Sequence, residues 1–214
     1  RGDAPPLPQR EQLGAWEASL SVSGLPLMGL DAPVPRPRLV FGAPLAIGTS
    51  AERDLVDFFL AERRGIAEVR VRLAGSLPSG HEIVDLHDVW LGAPALTGQV
   101  VAADYRVELA GGDGTAAPDP TAMSAACARL LASASLPRSR DKGGRSIEYD
   151  LRPLVADVRV GTDDGAILVI RTRFDHERGV GRPEEVVTAL SELAGVALTV
   201  RRIVRERLLL AGDE

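Results

Sequence analysis

The chain has 214 residues, room for one large or two small domains, and its 45% hydrophobic and 26% charged content is that of an ordinary soluble globular protein. The net charge of −5 argues against indiscriminate nucleic-acid binding but permits a local basic patch, and the longest apolar run, Leu39 to Gly48, is too short and too broken to span a membrane. A single cysteine, Cys127, leaves no internal disulfide and no cysteine metal cluster, so a reduced, cytoplasmic setting is expected.

Charge is uneven along the chain. Residues 1–119 hold 10 basic and 16 acidic residues, whereas residues 120–214 hold 15 and 14. Lys142 is the one lysine; the other 24 basic residues are arginine, a side chain suited to bidentate oxyanion contacts.

Residues 9–23 place Leu13, Trp16 and Leu20 at helical spacing, and the Gly24-Leu25-Pro26 stretch stops the pattern. Pro33, Pro35 and Pro37 hold the next segment extended and introduce a strand over 38–43. Residues 53–62 read as a strand with helix a close alternative. Residues 65–77 are ambiguous: Val69 and Val71 alternate as in a strand, while Ile66, Val69, Leu73 and Leu77 form a helical stripe. Strands are expected at 81–91 and 98–110, then a loop at 111–120 and an alanine-rich helix at 121–133 with Thr121 as N-cap. Residues 145–161 and 166–174 read as strands joined by a turn at 162–165, residues 182–193 as a helix stopped by Gly195, and residues 197–211 as a long closing strand.

The halves repeat an order of helix, paired strands, helix and strand. That predicts an α+β protein of two ferredoxin-like units, 1–97 and 98–214, with mostly antiparallel sheets. The first unit would lack its opening strand, which is expected upstream of Arg1.

Four stretches carry a family resemblance. The sequence GLPL at 24–27 leads into PRPRLVFGAPLAIGTSAE at 35–52; DLRPLV follows at 150–155, GRPEEVVTAL at 181–190 and VRRIVRERLLL at 200–210. In this order and spacing they resemble the radical-SAM-linked proteins, a bacterial domain of unknown function encoded beside or fused to a radical SAM protein, often near ribonuclease and ribosomal-protein genes. The chain departs from the family pattern in its first half. Gln9 and Glu11 stand where the family has histidine and aspartate, Ala18 and Val22 where it has arginines, Ala32, Pro33 and Val34 where it has Gly-Phe-Asn, and Arg36 where it has histidine. The resemblance implies a radical SAM protein as partner and an RNA or ribosome-related substrate; the departures imply that a site built on those polar positions is missing from this copy.

Three constellations could carry function. Gly179, Gly181 and Arg182 precede a helix opening with Pro183, an arrangement that serves either as an anion cradle or as a structural helix start whose dipole Glu184 and Glu185 already answer. Arg138, Arg140, Lys142, Arg145 and Arg152, beside Tyr149, either contact RNA backbone and stack a base or form a solvated hairpin paired with Asp141, Glu148 and Asp150. On a strand, His81, Asp85 and His87 would share a face with ligand-like spacing, but Ile83 shares that face too, and no metal or other cofactor is expected. There is no cysteine triad for an iron–sulfur cluster, no Gly-x-Ser-x-Gly elbow and no Walker-type loop. These readings favour an accessory protein without chemistry of its own, with an RNA-binding or RNA-processing factor, or a small enzyme with a site between the two units, as alternatives.

Overall fold

The computed structural model describes residues 9–111, 119–141, 143–161 and 166–213. The predicted turn at 162–165 and most of the loop at 111–120 lie outside them. The protein is α+β, and it divides into two compact units, residues 1–99 and residues 100–214. Among the described residues no helix is long and apolar enough to cross a membrane.

The first unit contains α1 (Gln9–Val22), three short strands β1 (Leu39–Phe41), β2 (Thr49–Ala51) and β3 (Val56–Phe58), then α2 (Ile66–Ala74) and α3 (Leu96–Gln99). Strands β1 and β3 pair antiparallel, with Leu39 opposite Phe58, and a lone bridge joins Leu27 to Leu60. Leu20, Leu25, Leu27, Val69 and Leu73 form the core of this unit. The ambiguous stretch at 65–77 is resolved by that core. Val69 and Leu73, four residues apart, are buried, while Val71 is 74% exposed, so the helical stripe won over the alternation.

Two expectations need correction in this unit. Residues 81–91 are irregular and not a strand. Ile83 and Leu86 pack against the core, and their spacing of three cannot be satisfied by a two-residue alternation, which leaves Val84, Val89, Trp90 and Leu91 exposed. The ferredoxin-like order is also not repeated here. The described strands of this unit are three residues each, interrupted by Gly42, Pro44 and Gly48, too short for a four-stranded sheet of their own.

The second unit runs β4 (Val100–Gly111), α4 (Pro120–Ala132), β5 (Pro137–Asp141), β6 (Ser146–Asp150), a 3-10 turn at Arg152–Leu154, β7 (Val155–Val160), β8 (Ile167–Asp175), β9 (Gly179–Val180), α5 (Pro183–Ala194) and β10 (Leu198–Leu210). Its long strands lie in the order β10-β4-β8-β7, all antiparallel, with β9 beside β8. Set aside the β5–β6 hairpin and the order is a ferredoxin-like split βαβ, with α4 and α5 as the two crossovers. Ala103, Tyr105 and Val107 on β4 and Leu168, Ile170 and Thr172 on β8 alternate onto the buried side of the sheet. Met123, Ala126 and Leu130 of α4 and Val186, Ala189 and Leu190 of α5 complete the core.

The helix ends follow local chemistry. Asp119, and not Thr121, caps α4: its carboxylate accepts from the Thr121 and Ala122 amides at 3.3 and 3.1 Å, with Pro120 opening the first turn. Gly195 ends α5 in the left-handed conformation at φ +70°. The strand expected over 145–161 is interrupted at Arg152–Leu154. Pro153 has no amide to give a ladder, and the Asp150 carboxylate takes the Arg152 and Leu136 amides at 2.9 and 2.7 Å.

Candidate functional site

The two arginine-bearing stretches read separately in the sequence converge in the fold. The β5–β6 hairpin is inserted between α4 and β7 in the chain, and two of its side chains reach α5. Tyr149, opposite Arg138 in the hairpin register, stands beside Glu185 in the first turn of α5; Arg138 pairs with Glu192, two turns further on, at 2.8 Å. Glu185 and Glu192 are seven residues apart and share a face of the helix. The hairpin therefore reaches α5 through two side chains, Tyr149 toward Glu185 and Arg138 toward Glu192.

At the N-terminal end of this contact three segments come together. The Arg140 guanidinium lies over the Tyr149 ring, 4.0 Å from its centroid, and a Cβ on Gly179 would stand 3.9 Å from Arg140 Nη2. Burial, and then the neighbouring Glu185 carboxylate, push the Tyr149 phenol up to about 12, against the opposing pull of Arg140 and Arg182. Three buried polar atoms here complete no hydrogen bond: Arg138 Nε, Tyr149 Oη and Glu185 Oε2. Arg145 and Arg182 are exposed. Lys142 lies outside the described residues.

Gly181 is a packing glycine. Its amide donates to the Arg173 carbonyl at 3.1 Å, and a Cβ there would fall 2.5 Å from the Leu154 carbonyl oxygen and 3.0 Å from Thr172 Cβ. The absence of a side chain lets the start of α5 press onto β8 and the 3-10 turn, and the amide that an anion would need is already engaged. Gly179, at φ +97°, closes the turn that leads from β8 into β9. Arg182 is the N-cap residue of α5 but makes no side-chain cap, so its guanidinium is left outside the helix.

Arg152 stands apart from the patch. Its Nε and Nη2 donate to the Leu131 carbonyl at 3.2 and 2.7 Å and its Nη1 to the Val155 carbonyl at 2.9 Å, which ties the base of the hairpin to the last turn of α4. Its partners are carbonyl oxygens of α4 and β7 and not an RNA-facing surface.

The histidine constellation does not assemble on a strand face. His81 Nδ1 lies 3.1 Å from the Ser79 carbonyl and its ring meets Trp16 edge-on at 5.4 Å, while His87 Nδ1 is 3.7 Å from Asp85. Among the described residues no group of three or more His, Cys, Asp or Glu side chains is placed to hold a metal ion.

Sequence reading missed the charged network on the face of β4 opposite Ala103, Tyr105 and Val107. Asp104 of β4 accepts from Arg171 Nε and Nη2 at 2.6 and 3.0 Å and from Arg207 Nε at 2.8 Å, joining β8, β4 and β10. The signal was present: Asp104 stands in strand alternation with Arg106 and Glu108, a polar face opposite an apolar one.

A family model described as "Uncharacterized protein conserved in bacteria (DUF2344)" matches residues 34–183, most of the chain, ending where α5 begins. No curated protein matches the chain.

Proposed function

The chain belongs to this bacterial family of uncharacterised proteins (DUF2344), and we propose that it serves as an accessory protein without chemistry of its own, holding an RNA for a radical SAM partner. The radical SAM partner is drawn from the resemblance of residues 24–27, 35–52, 150–155, 181–190 and 200–210 to the radical-SAM-linked proteins. The RNA is drawn from the site. What supports it above all is the convergence of Arg140 with Gly179 and Tyr149, with Arg182 also close to the Tyr149 phenol, two guanidinium groups beside one ring on an otherwise acidic chain.

The test is an affinity purification from the native host, with and without ribonuclease, reading all co-eluting proteins and nucleic acid. A radical SAM protein that survives ribonuclease supports the accessory role, and RNA in the untreated eluate supports the patch. A chain that elutes alone overturns the partner, and an eluate without RNA overturns the substrate.

A further inference from the structure

We propose that β7 is a self-pairing edge, on which a second copy of this chain docks antiparallel with Val158 at the twofold axis. Among the described residues β7 ends its sheet: one side pairs with β8, and no strand lies on the other. Such an edge presents unpaired amides and carbonyls to any strand that fits it. At its start the Val155 carbonyl accepts from Arg152 at 2.9 Å, which leaves 156–160 as the open stretch. The Gly161 amide donates to the Ile167 carbonyl of β8 at 2.7 Å. Alternation then turns the backbone groups of Arg159 toward β8 and those of Val158 and Val160 toward the open side.

The side chains decide what fits. Val158 is buried in the core, so Asp157 and Arg159 share the opposite face, 50% and 60% exposed and 3.9 Å apart, at the limit of an ion pair. Charges on an edge ordinarily keep foreign strands away. The order Asp157-Val158-Arg159 admits one partner, its own antiparallel copy. About an axis at Val158, the two Val158 residues face each other as a hydrogen-bonded pair. Asp157 of each copy then stands opposite Arg159 of the other, in the non-hydrogen-bonded pairs where side chains are closest. A slip of two residues moves the axis to Asp157 or Arg159 and sets like charges opposite; a slip of one turns the two polar faces to opposite sides. The open stretch 156–160 is centred on Val158 as well, so backbone and charge pattern select the same register. The sheet then runs from β10-β4-β8-β7 of one copy straight into β7 of the next. Five residues a side is a small contact, which makes the dimer a concentration-dependent equilibrium.

The experiment is sedimentation equilibrium of the full chain from about 1 to about 500 µM. The weight-average mass should climb from the 22.7 kDa of one copy toward twice that value. Asp157→Arg and Arg159→Asp each put like charges at both cross-strand pairs and should weaken association at least about tenfold. The double variant D157R/R159D restores opposite charges at both pairs and should associate within about threefold of the unaltered chain. Far-UV circular dichroism of each variant reads whether it has folded. An unaltered chain that stays monomeric at about 500 µM overturns the proposal. So does association that the single reversals leave unchanged, or that the folded double variant fails to restore.

Discussion

The Arg152 guanidinium reaches from the foot of the hairpin to the last turn of α4, where the Leu131 carbonyl oxygen accepts from both its Nε and Nη2, at 3.2 and 2.7 Å. A third bond, to the Val155 carbonyl, makes the same side chain hold the start of β7. One residue thereby joins three elements through a planar fork that a lysine cannot reproduce.

R152K and R152A should both destabilise the chain, R152A by about 2 kcal/mol, since bonds from a charged donor to partly buried carbonyls contribute more than neutral ones. Urea denaturation measures this. RNA affinity of the folded R152A protein should match that of the unaltered chain; a weakened affinity at full stability would return Arg152 to the binding patch.

Gly181→Ala should destabilise by about 1–3 kcal/mol, because the new Cβ meets the Leu154 carbonyl oxygen, which is backbone and can yield only by moving α5 off β8. Gly14→Ala, where nothing lies within 4 Å and the backbone is helical, should be neutral or slightly stabilising. Comparing the two by thermal unfolding separates close packing from glycine replacement as such.

Asp104 governs part of the acid stability. Burial alone would raise its pKa, but the bonds from Arg171 and Arg207 hold it below the ordinary value of 3.8. A carboxylate depressed in the folded state contributes stability above its unfolded pKa, and that contribution is lost as pH falls below about 4. Denaturation measured from neutral pH downward should show this loss in the unaltered chain. Asp104→Asn should be less stable near neutral pH by about 2 kcal/mol and show a shallower decline on acidification. An unchanged acid slope would remove Asp104 from this role.

Tyr149 titrates late. With its phenol pushed up to about 12 by burial and the Glu185 carboxylate, tyrosinate absorbance from this residue, taken as the difference from Tyr149→Phe, should be absent at pH 10. Since the folded pKa is raised, the associated stability is full below pH 10 and is lost as pH climbs toward 12. Glu185→Gln should bring the titration down toward the ordinary tyrosine range. A transition near pH 10 in the unaltered protein would show that the hairpin does not close on α5.

Cys127 should be inert in the folded chain. Burial, and then Asp157, raise its thiol to about 11, leaving little thiolate at neutral pH. Labelling with a thiol-specific disulfide reagent at pH 8 should be at least about tenfold slower before than after denaturation. Equal rates would place the thiol outside the core of α4.

The sequence by itself determined the α+β class, the long strands β4, β8 and β10 and the helices α4 and α5. These depend on periodicity and end chemistry within a dozen neighbouring residues, and Gly195 shows how far that reaches: the residue marked as a stop adopts the left-handed turn that ends α5. Where a segment's environment is set from afar, local pattern was insufficient. Residues 81–91 alternate like a strand yet are irregular, because Ile83 and Leu86 answer to a core built by α1 and α2.

The candidate site belongs to the second kind. Both of its stretches were legible as arginine-rich or glycine-rich segments, but their meeting, with Arg138 on Glu192 across 54 residues, is a product of the hairpin folding back on α5. Three roles changed with it. Gly181 became a packing contact, Arg152 a clasp on α4, and Tyr149 a support for Arg140. Composition names the donors available in a segment; which of them face outward depends on what the tertiary structure has already engaged, and hydrogen bonds and close packing engage them first.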